Sequence, residues 1–181
     1  ELPTICRRPG RDEAMEAPRL VPSATHMMPS EGFFDGLARK SFFLPRVFWG
    51  TQAAIGRQAL ELNEGWQQPN FASSFKRYLA HAPNKTIART RGQDHSAREV
   101  ARTFMRELLK HVHESTGERI RDLVVTVPVE SYDQYRAELG RIGKSLGIKR
   151  MRFLDEPVAA AIGYGLGLRN SRKVLVVDFG G

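Results

Sequence analysis

The residues best suited to chemistry sit in the last third of the chain. Lys173-Val174-Leu175-Val176-Val177 is a continuous apolar run of the kind a buried strand needs, and Asp178-Phe179-Gly180-Gly181 follows it directly. An acid placed there puts a carboxylate at a strand tip. Gly180 and Gly181 add backbone that can approach a ligand closely with its N–H groups free, as phosphate-binding loops require. Asp and Gly also dominate ordinary turns, so the motif alone fits a solvated strand end equally well. A second acid pair, Asp155-Glu156, stands before Pro157. The proline ring suits the first helical position and pushes its predecessor out of the α region, which predicts Glu156 as the N-cap of a helix over Pro157 to Leu166. Its carboxylate either caps that helix or serves a ligand at the tip of a strand over Met151 to Leu154.

Positioning these acids requires a sheet, and the chain supplies its pattern. A strand over Leu123 to Val127, closed by Pro128, precedes a helix over Ser131 to Leu146, then the Met151 strand, the Pro157 helix and the Lys173 strand. Short apolar strands alternating with amphipathic helices predict a parallel sheet, because parallel neighbours need a crossover. Ligands in such sheets bind beyond the strand C-termini, the edge where Pro128, Asp155-Glu156 and Asp178 fall. In the Ser131 helix, Tyr135, Leu139, Ile142 and Leu146 form the buried stripe, and Ser131 with Gln134 offers a capping box. Gly140 and Gly143 each cost this helix about 1 kcal/mol relative to Ala, which predicts close packing as compensation. Ala159, Ala160 and Ala161 with Gly163, Gly165 and Gly167 make the next helix thin enough for close approach to another backbone. Upstream, Ala97, Val100, Ala101, Phe104, Leu108 and Val112 have helical spacing, with Ser96 and Glu99 as a capping box and Thr116-Gly117 as the stop.

Composition narrows the function classes. At 181 residues the chain can bury a real core. It has no run of eighteen apolar residues, and Arg7, Arg8 and Arg11 lead into no apolar segment, so neither a membrane span nor a signal peptide is predicted. The single cysteine, Cys6, excludes an internal disulfide and suits a reducing compartment. His111 and His113 lie two apart on a helix and point to different faces, so the five histidines suggest no metal site. The net charge of +8 raises nucleic acid, since Arg98, Arg102, Arg106 and Lys110 recur every four residues. Glu99, Glu107 and Glu114 stand beside that row, however, as on a solvated face laced with ion pairs, and no aromatics are interleaved for base stacking. No direct nucleic-acid binding is expected. Nearer the start, Arg19 to Met28 and Phe42 to Gly50 read as strands, with Pro29 to Gly36 turning between them.

Four stretches together carry a resemblance. Val124-Val125-Thr126-Val127-Pro128, Asp133-Gln134-Tyr135-Arg136, Asp155-Glu156-Pro157-Val158-Ala159-Ala160-Ala161 with Tyr164-Gly165, and Val177-Asp178-Phe179-Gly180-Gly181 resemble, in order and spacing, the ATPase domain of the 70-kilodalton heat-shock chaperone family. Ile55-Gly56-Arg57-Gln58-Ala59 is similar to the family's Val-Gly-x-x-Ala segment, and Asn70 to Leu79 to a short family helix whose Ile-Lys-Arg carries a catalytic lysine. The resemblance covers about residues 19 to 181, weakly before Asn70 and strongly after Leu123. It departs from the family at Asp155, where Asn is more usual before Glu-Pro, and at Val129-Glu130-Ser131-Tyr132, where an aromatic-rich run is usual. Those departures and the high basicity suggest a divergent branch.

The resemblance implies an α/β fold: an actin-like ATPase domain with a ribonuclease-H-like βαβαβ lobe, incomplete at both ends. Residues 1–18 would be an undetermined lead, 19–95 an inserted small subdomain, 96–172 the first-lobe core and 173–181 the first strand and phosphate loop of a second lobe. It also implies a cytoplasmic chaperone that binds ATP and ADP with Mg²⁺ and hydrolyses ATP. Lys76, Glu156 and Asp178 would be catalytic, Gly180 and Gly181 would bind phosphate, and Glu156 and Asp178 would hold Mg²⁺ through water. Pro128 and Arg136 would form a switch that relays nucleotide state to a peptide-binding domain. Unfolded peptides would be the clients, with co-chaperones and a nucleotide exchange factor as possible partners. The family's opening phosphate loop is absent upstream and most adenine contacts would lie past Gly181, so the 181 residues alone are expected to release no phosphate and to expose sheet edges prone to aggregation. A filament-forming protein or sugar kinase of the actin fold, or a non-catalytic nucleotide-binding relative, is the alternative.

Overall fold

A computed structural model of the chain describes residues 21–28, 52–63, 68–129 and 133–163. It is a mixed α/β protein in two compact units, residues 1–120 and 121–181. The apolar run over 173–177, Asp178, Gly180, Gly181 and the strand expected over Phe42 to Gly50 lie outside the described residues.

The first unit is built on a small antiparallel sheet. Strand β1 (Ala24–Met27) lies between β2 (Ala53–Ile55) and β3 (Phe71–Ser73). All three residues of β2 are buried, and the small side chains of Ala53 and Ala54 let a helix approach the sheet closely. Helix α1 (Arg57–Leu62) starts from Gly56, whose φ of 63° is left-handed, and Ala24, Ala59 and Phe71 close the core beneath it. Next come helix α2 (Phe75–His81) and a hairpin of β4 (Thr86–Thr90) and β5 (Gln93–Ser96), turned at Gly92 with φ 69°. The segment Asn70 to Leu79 is therefore strand before it is helix. Ser74, left-handed at φ 57°, makes the bend between β3 and α2.

Helix α3 (Ala97–Thr116) begins and ends as its sequence predicts. The Ser96 side chain accepts from the Glu99 amide, the Glu99 carboxylate accepts from the Ser96 amide, and Gly117 closes the C-terminus with φ 73°. The helix packs on α2, β1, β2 and β4, and the Phe75 and Phe104 rings meet with centroids 5.3 Å apart. One residue on it departs from expectation. Glu107, read as part of a solvated charged face, has 0% exposure. Its Oε1 accepts from the Gln52 amide and pairs with Arg106, while Oε2 is buried without a partner. The apolar spacing predicts this helix correctly, but Glu107, assigned to the solvated face, falls on the side turned toward β2.

The second unit is a parallel βαβ arrangement. Strand β6 (Asp122–Val127), helix α4 (Asp133–Ser145), strand β7 (Arg150–Asp155) and helix α5 (Glu156–Gly163) follow in order, and β6 pairs with β7 from Asp122↔Arg150 to Val127↔Asp155. At the first of these pairs, both Asp122 oxygens accept from the Arg150 guanidinium at 2.8 Å. Tyr135, Leu139 and Ile142 are buried on α4, as the stripe predicts. Of its two glycines only Gly143 is tightly packed: a Cβ there would meet Met151 Cε at 2.4 Å, whereas one at Gly140 would meet nothing within 4 Å. Ser131, the proposed cap of this helix, lies outside the described residues. Among the described residues no helix is long and apolar enough to cross a membrane.

Candidate functional site

The junction of β7 and α5 carries the acids of interest. A parallel strand that ends where a helix begins brings its last side chains to the sheet edge next to unpaired helix amides. Strand β7 runs through Asp155 and helix α5 starts at Glu156. Glu156 is thus the first helical residue rather than the residue before it, and Pro157 takes the second position. Because Val127 pairs with Asp155, Pro128 leaves β6 beside the point where Glu156 leaves β7. Pro128 is exposed and Glu156 partly buried.

The start of α4 meets this edge with two successive side chains. Arg136 Nη2 donates to Asp155 Oδ1 at 2.8 Å, an ion pair whose partners are 38% and 42% exposed. The Arg136 Nε is buried and donates to nothing, so the guanidinium holds Asp155 by one bond and not by a two-pronged fork. Tyr135 lies buried beside it. Burial pushes its phenol above the ordinary value of 10.0, and the negative charge of Glu156 adds to that rise. Glu156 makes no hydrogen bond or ion pair with another described residue.

This one edge therefore gathers Pro128, Arg136 and Glu156 from the expected set, with Asp155 and Tyr135 added. The sequence placed Asp155 at this edge as half of an acid pair and as a substitution for Asn, and Tyr135 in the apolar stripe and the Asp133-to-Arg136 motif, without giving either a site role. The contact of Arg136 with Asp155 spans 19 positions in the chain, which no local spacing encodes. Lys76 lies in the other unit, exposed in the first turn of α2 beside buried Phe75. Asp178, Gly180 and Gly181 are outside the described residues.

Among the described residues no three His, Cys, Asp or Glu side chains gather in a way that could hold a metal ion directly.

Comparison with known proteins agrees with the motifs. The family described as Hsp70 protein matches residues 16–181. The chaperone protein dnaK of Cyanidium caldarium is 30% identical over 138 residues, covering 75% of this chain and 21% of its own length. The DnaK chaperone protein of Deinococcus deserti is 29% identical over 178 residues, covering 95% of this chain and 27% of its own length. That of Guillardia theta is 26% identical over 135 residues. The chain thus spans about a fifth to a quarter of the length of these curated relatives. With a match running through nearly all of it, and with the Asp155-Glu156-Pro157 junction folded as strand end and helix start, the chain belongs to the Hsp70 family.

Proposed function

We propose that this chain is part of the ATP-binding and ATP-hydrolysing domain of a heat-shock-70-type chaperone, with the actin-like, ribonuclease-H-like topology of that domain. The observation that carries the proposal is the family match over residues 16–181, joined to the place of Glu156 where β7 ends and α5 begins. Open parallel sheets bind ligands at this edge, and a phosphate-bound cation needs an acid there. Glu156, with Asp178, would hold the waters around Mg²⁺ and would orient the attacking one. The ion, when bound, offsets charge on the phosphates. Lys76 directs its ammonium, a compact charge on a long stem, to an oxygen of the γ-phosphate. Gly180 and Gly181 present backbone N–H groups to the phosphates.

Coupling to chaperone action runs through Pro128 and Arg136. Both lie at the edge occupied by Glu156, so a change at the γ-phosphate has a short path to them. The whole protein, in this proposal, works in the cytoplasm on unfolded peptides gripped by a further domain, with co-chaperones and an exchange factor. The test is binding of a fluorescent, non-hydrolysable ATP analogue, which carries a γ-phosphate, to the chain in Mg²⁺. Lys76→Ala and Glu156→Gln are each expected to weaken it by about tenfold, roughly the effect of losing one charge contact near phosphate or metal. Affinity unchanged in both variants would contradict the assignment.

A further inference from the structure

Lys76 follows a junction that is a single residue long. Strand β3 ends at Ser73, which pairs with Ala24 of β1, and helix α2 begins at Phe75, so the chain turns from strand to helix at Ser74 alone. With φ 57° and ψ 27°, Ser74 is left-handed, and no other non-glycine residue among the described residues has a positive φ. We propose that Ser74 is a positioning residue: its left-handed backbone fixes the direction in which α2 leaves the sheet and, with it, the place where Lys76 presents its ammonium.

The side chain of Ser74 gives no reason for this conformation. It is exposed, and its hydroxyl makes no cap hydrogen bond to α2. The left-handed region crowds Cβ against the backbone, so a serine persists there only where the structure on both sides demands it. Both sides do. Phe71 and Ala72 are buried on the sheet side; on the helix side Phe75 and Leu79 are 4% and 1% exposed, and the Phe75 ring meets Phe104 of α3 with centroids 5.3 Å apart. Burying two such side chains outweighs the cost of one left-handed residue. With Phe75 pinned, Lys76 comes about 100° further round the helix and is exposed. An extended Ser74 would carry β3 onward instead, turn Phe75 out of its seat and swing Lys76 with it. Backbone strain of this kind concentrates where a side chain must be held for function, and Lys76 lies two residues away.

The inference rests on the assignment of Lys76 to the γ-phosphate, and its test separates the two. Binding of a fluorescent, non-hydrolysable ATP analogue and of fluorescent ADP in Mg²⁺ is compared in Ser74→Gly, Ser74→Val and Lys76→Ala, while nuclear magnetic resonance follows the Phe75–Phe104 ring contact. Glycine adopts the left-handed turn freely, so Ser74→Gly should keep the ring contact and bind both nucleotides as the unaltered chain does. Valine, branched at Cβ, opposes the turn. Ser74→Val should lose the ring contact and bind the ATP analogue about tenfold more weakly, as Lys76→Ala does, with ADP binding unchanged. Added to Lys76→Ala, it should cost nothing further. A ring contact retained in Ser74→Val, or equal weakening of both nucleotides there, overturns the positioning role. So does weakened binding of the ATP analogue in Ser74→Gly, an outcome that is decisive even if Ser74→Val does not fold. If Lys76→Ala binds both nucleotides as before, while the ring contact is lost in Ser74→Val and kept in Ser74→Gly, the positioning role stands and the phosphate assignment falls.

Discussion

Tyr135 and Gly143 are two positions where one side chain, or its absence, controls the second unit. The Tyr135 phenol is raised by burial first and by Glu156 second, so the folded state keeps its proton to higher pH than the unfolded chain does. Between the two values the folded state binds more protons, and stability falls as pH rises above about 10. Tyr135→Phe should remove that part of the alkaline decline, and denaturant midpoints measured from pH 8 to 11 check it. Gly143 and Gly140 sit one turn apart on α4 with opposite surroundings. Gly140→Ala meets nothing and should raise stability by about 0.5 to 1 kcal/mol, the usual gain from replacing glycine in a helix. Gly143→Ala forces the end of the flexible Met151 side chain aside, so it should gain clearly less; urea midpoints give the order. A larger gain at 143 than at 140 would show that Met151 does not pack as described.

At the scale of elements, legibility followed the range of the interactions involved. Helix α3 was fully readable, since its capping box and terminal glycine are decided within a few residues of each end. The strands β6 and β7 and the crossover helix were readable from alternating pattern alone, because a parallel pair demands such a crossover. The hairpin of β4 and β5 escaped notice: its strands are polar, with Arg89, Asp94 and His95 among them, and only Gly92 marks the turn. Glu107 escaped for another reason, since a carboxylate partnered by the preceding residue, Arg106, and by the amide of Gln52 has no signature in periodicity. Breaking that arrangement gives a directional prediction. Arg106→Met leaves a buried carboxylate without its cation and should cost about 2 kcal/mol, below the range for fully buried pairs because Arg106 is 21% exposed. The double replacement of Arg106 and Glu107 by Met should recover part of the loss in thermal or urea unfolding. A double variant less stable than Arg106→Met alone would show that Glu107 contributes through Gln52 more than through its charge.

For the whole molecule, the acids and the lysine assigned to one nucleotide fall in separate compact units: Lys76 in the first, Glu156 in the second, with Gly180 further along the chain. Family membership is carried by a match over residues 16–181, and most of the net charge of +8 contributes to solubility and nonspecific attraction more than to fold. The central claim is the proposed one, that the β7 edge of the second unit serves a bound nucleotide. Amide signals of Arg136, Asp155 and Glu156, followed by nuclear magnetic resonance during a titration with Mg²⁺ and a non-hydrolysable ATP analogue, test it most directly. All three should shift and follow one saturation curve. No shift at these positions, or curves with different midpoints, would contradict it.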